Sequence, residues 1–233
     1  MRVVLFDFLN AFPYQRALDE AQIPYTLLPN PQAVVQAWRE SRWDAALLPM
    51  AVLSRGAFPV LSWGIGSCGS VLSVLLLGEA PPSRWEYLLL DPRSTSSRAL
   101  VIWCMQKGAL PAWPVLAAKP SNDLVGGRLV IGDDALRLSK TTSYAIDMGN
   151  IASRLGRKPV IFAVWWVRPP FRNLLARTWK TLRKKERWIP EAARRYGFSE
   201  EEVSAYWHAL TYRLPPIALA YWRRIYRIHS LDS

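Results

Sequence analysis

Short apolar runs alternate with stretches of helical spacing along the first eighty residues, and this constrains the fold more than any other feature of the chain. "RVVLFDFL" at 2–9 is strand-sized, and Tyr14–Gln22 follows as a short helix. "PYTLLP" at 24–29 is a second strand, and Pro31–Ser41 then puts Val34, Val35 and Trp38 on one helical face. "WDAALLPM" at 43–50 is a third strand, ending at Pro49. "FPVLSWGIG" at 58–66 and "VLSVLLLG" at 71–78 follow, separated by a turn-rich "SCGS". Strands alternating with helices predict an α/β protein with largely parallel strands.

Near residue 80 the pattern is interrupted by a proline-containing connector, "EAPPSR". Beyond it, "WEYLLLDP" reads as a strand and "STSSRALVIWCMQKG" as a capped helix stopped by Gly108. "GGRLVIGDDAL" is strand, turn and helix start, and "KPVIFAVWWV" is a strand leading into basic helices. From there to the end the chain reads as helical, with amphipathic stretches such as "EEVSAYWHALTYRL". The expected architecture is two α/β lobes, with residues 1–83 and 163–233 forming one and the inserted residues 84–162 the other. A chain that crosses twice between lobes holds its ligand in the cleft and closes on it by hinge motion.

With 233 residues, 51% of them apolar, the chain can bury a substantial core. No apolar run is long enough to span a bilayer, and no cleavage site follows the first residues, so neither a membrane span nor a signal peptide is expected. Two cysteines and two histidines, His208 and His229, leave little for a disulfide framework, a metal site or a histidine-based triad. The expectation is a cytoplasmic protein with no metal and no cofactor. The formal charge is +12, and ten Lys or Arg residues face two acids between Arg168 and Arg195. Such a stretch attracts nucleic acid, anionic lipid or a polyanionic metabolite, or is simply a solvated face. No zinc finger, RNP-like strand or helix-turn-helix is present, so a nucleic-acid partner is not expected.

Several segments carry polar residues where strands end. Asn10 follows the first strand, where open α/β sheets bind ligands. Its amide can donate and accept, or cap the helix that follows. "GIGSCGSVLSV" at 64–74 places Ser67, Gly69 and Ser73 at the entry to an apolar strand, as a site or as a turn with a core serine. "DPRSTSSRAL" at 91–100 puts four hydroxyls at a helix N-terminus, which suits a carboxylate or phosphate. In "IGDDAL", Asp133 or Asp134 reads as a helix cap, and Trp165 and Trp166 read as packing.

In order and interval, "FLNAFP", "DAALLP", "GSCGSVLSVLL", "STSSRAL", "VIGDDAL", "IDMGNIA" and "KPVIFAVW" resemble the menaquinone-biosynthesis chorismate dehydratases of the futalosine route (the MqnA family). The resemblance implies a type-II periplasmic-binding-protein fold that is not periplasmic, and a dicarboxylate substrate, chorismate. It implies loss of water to give 3-[(1-carboxyvinyl)oxy]benzoate, with the substrate's own enolpyruvyl carboxylate taking the proton. By the same resemblance Asn10 and Ser73 are the catalytic pair, and Thr95 and Ser96 bind substrate. Ser67, Gly69, Arg93 and Asp133 complete the expected substrate site. Arg93 stands where the family commonly has serine, and it either reaches a substrate carboxylate or points to solvent. Two other readings stay open: a non-catalytic solute-binding module, and the sister 1,4-dihydroxy-6-naphthoate synthase, which uses a histidine base.

Overall fold

The computed structural model describes residues 1–40, 42–54, 60–120 and 124–229. The chain starts with a fully buried strand, β1 (Val3–Phe6), then α1 (Phe12–Glu20), β2 (Tyr25–Leu28), α2 (Pro31–Glu40), β3 (Ala45–Pro49), the single turn α3 (Met50–Leu53) and β4 (Val60–Ser67). A second set follows: β5 (Val74–Gly78), β6 (Tyr87–Leu89), α4 (Thr95–Gln106), β7 (Val115–Leu116), β8 (Gly126–Ile131), α5 (Gly132–Leu138), β9 (Tyr144–Asp147) and α6 (Met148–Gly156). The chain then returns through β10 (Val160–Val167), α7 (Arg172–Thr178), a 3₁₀ stretch Trp179–Trp188, α8 (Ile189–Tyr196), α9 (Glu200–Ala209), β11 (Leu210–Arg213) and α10 (Pro216–His229). Ser41, Phe58 and Pro59, at the edges of an expected helix and strand, lie outside the described residues.

Two sheets result, ordered β11-β4-β10-β3-β1-β2 and β7-β6-β8-β5-β9. This is the two-lobed α/β architecture expected, with two differences from the sequence reading. The strands are not largely parallel: β10 runs antiparallel to both β3 and β4, and β5 runs antiparallel to β8 and β9. Each lobe thus takes in one strand that enters from the other lobe and must reverse the local direction. The crossings also lie earlier than expected. β5, placed by its sequence in the first lobe, pairs within the second sheet, so the chain crosses between Ser67 and Val74 rather than near residue 80. The return precedes Val160, because β10 already belongs to the first sheet. The apolar run "VLSVLLLG" cannot show which sheet covers it; only its pairing partners decide.

The C-terminal segment is not wholly helical either. "EEVSAYWHALTYRL" breaks after Ala209, and Leu210–Arg213 adds the edge strand β11 to β4. Leu210 and Tyr212 alternate inward there, a period of two that a helical pattern obscured. Tyr14, Trp165, Trp179 and Tyr212 form an aromatic block beneath the first sheet, with Trp165 stacked 4.8 Å from Trp179 and the Tyr14 hydroxyl donating 2.8 Å to the Gly64 carbonyl. This block fixes the floor on which the loop after β1 rests.

Candidate functional site

β1 ends at Phe6, and residues 8–11 form a tight turn in which the Ala11 N–H donates to the Phe8 carbonyl. The helix cap is Ala11, not Asn10, so the capping alternative for Asn10 does not hold. Two carbonyls of the turn are held by buried side chains. The Trp207 indole N–H donates 3.1 Å to Leu9, and the Tyr212 hydroxyl donates 3.0 Å to Asn10. With the main chain so fixed, the Asn10 side chain is buried at the wall of a cavity between the lobes, and its Oδ1 has no hydrogen-bond partner among the described residues.

That cavity is narrow, with about 50 Å³ open to a water-sized sphere, so a ligand larger than a few atoms enters it only if the lobes part. Phe6, Phe8, Pro49 and Phe162 form apolar walls, and its polar side chains are Asn10, Ser73, Ser94 and Ser97. No ionisable side chain lines it among the described residues.

Ser73 is 2% exposed, and its Oγ accepts a 2.7 Å hydrogen bond from the Tyr206 hydroxyl on α9. Burial raises the Tyr206 pKa above the ordinary tyrosine value, keeping the phenol protonated, while the Asn10 carboxamide beside it acts in the opposite sense. The arrangement is polarised. Tyr206 donates to Ser73, which leaves the serine's own proton to point elsewhere, and the Asn10 carbonyl oxygen, shut from solvent, has no partner among the described residues. A serine hydroxyl free to donate and a carboxamide oxygen free to accept thus belong to residues of one cavity wall. Tyr206 was not singled out in the sequence. It sits within a helical apolar pattern, and only its distance to Ser73, 133 residues away, marks it.

The remaining expected residues divide. Thr95 and Ser96 open α4 as predicted, but Ser94 is its cap, with Oγ accepting from the Ser97 N–H at 3.2 Å. Ser94 and Ser97 line the cavity; Thr95 and Ser96 do not. The Ser96 Oγ instead accepts the Ala51 N–H at 3.1 Å and ties α4 to α3. Ser67 and Gly69 are also off the cavity: the Ser67 hydroxyl donates 3.0 Å to the Gly69 carbonyl and closes the crossover turn.

Arg93 is partly exposed and does not line the cavity. Its guanidinium holds Asp91 at 2.7 Å and Asp134 at 3.0 Å, and these carboxylates raise its pKa further. Asp133 is not a helix cap, since α5 begins after Ile131. Its two oxygens accept the Leu9 N–H at 3.0 and 3.3 Å from across the cleft, and burial pushes its carboxyl up to about 6. Next to it, Gly132 has φ +65°, and a Cβ there would lie 2.7 Å from the Phe8 ring. Glycine at 132 is what lets the two lobes meet beside the site.

One more charged residue serves the backbone. The Asp147 carboxylate accepts the N–H groups of Val71 (3.0 Å) and Leu72 (2.8 Å) and caps α6 through the Asn150 N–H (3.0 Å). Leu72 has φ +62°, a conformation costly for leucine, and it is the residue before Ser73. Asp147 therefore sets the turn that aims Ser73.

Neither histidine lines the cavity: His208 is exposed on α9, with Nδ1 2.7 Å from the Ser204 carbonyl, and His229 ends α10. Among the described residues no cluster of three or more His, Cys, Asp or Glu is placed to hold a metal, and no helix is long and apolar enough to cross a membrane.

Solved structures share this fold at low identity. AF1704 from Archaeoglobus fulgidus superimposes with a TM-score of 0.66 at 13% identity, covering 96% of this chain and 95% of its own. The periplasmic aliphatic sulphonate binding protein SsuA from Escherichia coli gives 0.61 at 12%, covering 98% and 85%. The Candida albicans CA3427 product, described as having the generic periplasmic binding protein fold, gives 0.58 at 8%, covering 100% and 92%. The fold is thus that of the periplasmic binding proteins. No curated protein sequence matches the chain. A sequence model of a family described as menaquinone biosynthesis matches residues 1–229.

Proposed function

A chain matched by that model from residue 1 to residue 229 belongs to the menaquinone-biosynthesis family, and from this premise we propose that it is a chorismate dehydratase forming 3-[(1-carboxyvinyl)oxy]benzoate and water. In the reaction the ring C3–H bond breaks and its electron pair becomes the C3–C4 π bond. The C4–O bond breaks, and the departing hydroxide combines with the proton as water. Aromatisation of the ring drives the step.

The observation that carries this reading is the uncharged cavity wall in which Asn10 and Ser73 offer one acceptor and one donor, with no side-chain base in the lining. The Asn10 Oδ1 accepts from the C4 hydroxyl while Ser73, its oxygen held by Tyr206, donates to that hydroxyl's oxygen as negative charge develops on it. With no protein base in the lining, the substrate's enolpyruvyl carboxylate takes the C3 proton and hands it to the departing C4 hydroxyl, which leaves as water. The protein contributes pose and stabilisation of charge. A ring carboxylate fits at the N-terminus of α4, where Ser94 and Ser97 line the cavity and the helix carries its partial positive charge. Each lobe then contributes to one ligand, so closure and binding coincide.

The test is incubation of the purified protein with chorismate, followed by ultraviolet absorbance and chromatography. An aromatic acid one water lighter than chorismate is the expected product. Saturable chorismate binding with no product at stoichiometric enzyme would instead favour the solute-binding reading. Neither binding nor product would remove chorismate altogether.

A further inference from the structure

Tyr212, which holds the Asn10 carbonyl, also lines a second cavity, of about 400 Å³, whose lining is the electrostatic opposite of the first. Lys180, Arg183 and Lys185 come from the 3₁₀ stretch before α8, and Arg213 comes from the edge strand β11; no acidic side chain lines it. Lys185 is engaged by Glu186 at 2.9 Å, whereas Lys180, Arg183 and Arg213 have no carboxylate partner among the described residues. Trp63 supplies an aromatic wall. The Arg213 guanidinium lies 5.0 Å from its ring centre, the side chain is buried, and the indole N–H has no hydrogen-bond partner among the described residues.

Three cations without a carboxylate partner around one concavity repel one another. An occupant carrying several acceptor oxygens and at least two negative charges relieves that repulsion. We propose that this cavity is a binding site for a phosphate-bearing anion, separate from the inter-lobe site. Phosphate oxygens match a guanidinium fork bidentately and an ammonium as a point charge, and Arg183, Arg213 and Lys180 supply both kinds. This assigns a use to Lys180 and Arg183 of the basic stretch 168–195, which the chemistry of the neutral cleft does not need. The phosphate group can belong to a free phosphorylated small molecule or to a lipid headgroup.

The experiment is isothermal titration of the full chain with inorganic pyrophosphate at 150 mM salt, beside co-sedimentation with phosphatidylglycerol vesicles. Saturable one-to-one binding of pyrophosphate is expected. The double variant Arg183→Ala/Arg213→Ala, both side chains exposed, should weaken it at least tenfold. A control pair on the last helix, Arg224→Ala/Arg227→Ala, removes the same charge elsewhere and should change it less than twofold. Vesicle binding that pyrophosphate competes away assigns the site to a headgroup; pyrophosphate binding without vesicle binding assigns it to a free phosphate. Unsaturable binding, or equal weakening by the two pairs, would mean general attraction to a basic surface and would overturn the proposal.

Discussion

The wall of the inter-lobe cavity and the clasp that surrounds it use opposite chemistry. The wall carries a carboxamide, hydroxyls and apolar side chains, with no charge. The clasp just outside it holds Asp133, Asp147, and Arg93 with Asp91 and Asp134, each facing main-chain N–H groups or one another. The difference separates what holds the two lobes and their turns in place from what lines the space between them. Paired or backbone-bound charges fix the lobes and the turns, because such bonds are strong and directional in a low dielectric. A neutral wall with one orphaned acceptor and one freed donor leaves the ligand's own charges as the dominant ones in the site.

The contrast is broken most severely by putting a charge into the wall. Asn10→Asp should cost about 10³-fold in kcat/KM on chorismate, since it removes a neutral acceptor and faces an anionic substrate with a buried carboxylate. Its melting temperature should stay near that of the parent in acid and fall at neutral pH. An active, chorismate-saturable Asn10→Asp enzyme would mean that the wall tolerates charge and that the proposed role of Asn10 is wrong. Removing a charge from the clasp acts differently. Asp147→Ala leaves the Val71, Leu72 and Asn150 N–H groups without their acceptor and should lower stability by about 2–4 kcal/mol in chemical denaturation. Asp147→Asn, which keeps one acceptor oxygen, should lose less. Tyr206→Phe tests the border between the two regions. It leaves the Ser73 oxygen without its donor, and should lower kcat by about 10–100-fold with KM little changed. A purely structural tyrosine would instead show a lower melting point at unchanged kcat.

Legibility in the sequence follows the same division. The alternation of strands and helices pointed to two lobes; of the four residues that the resemblance singled out, Asn10 and Ser73 line one cavity and Thr95 and Ser96 do not. Asp133, Arg93, Ser67 and Gly69 occupy motif segments for a different reason: they shape the cleft without lining it. A residue's place in a motif does not show whether its side chain meets a ligand or a backbone 124 positions away, as Asp133 meets Leu9. The crossover was misplaced for a related reason. A strand buried on both faces, as the wholly buried β5 is, carries no mark of its sheet. Tyr206 and β11 were hidden by a pattern in which helix and edge strand run together without glycine or proline between them.

The smallest expected effects separate the clasp from the wall most finely. Asp133 has a folded carboxyl near 6 against an ordinary value of 3.8, mainly through burial, so the folded state binds more protons than the unfolded one between those values. Its contribution to stability is full below pH 4 and is lost as pH rises through about 6. Asp133→Asn, which keeps an oxygen for the Leu9 N–H, should therefore flatten the stability profile between pH 4 and 6 and gain about 1–3 kcal/mol relative to the parent at pH 8. A parallel pair of profiles would show that the carboxylate is solvated rather than shut in the clasp. Arg93→Ala should do least. Its side chain is 38% exposed, so loss of the pairs to Asp91 and Asp134 should cost about 0.5–1 kcal/mol, and KM for chorismate should move less than threefold. A KM raised tenfold or more at unchanged stability would mean that the guanidinium leaves its carboxylates to meet the substrate. The boundary between charged clasp and neutral wall would then shift when the ligand binds.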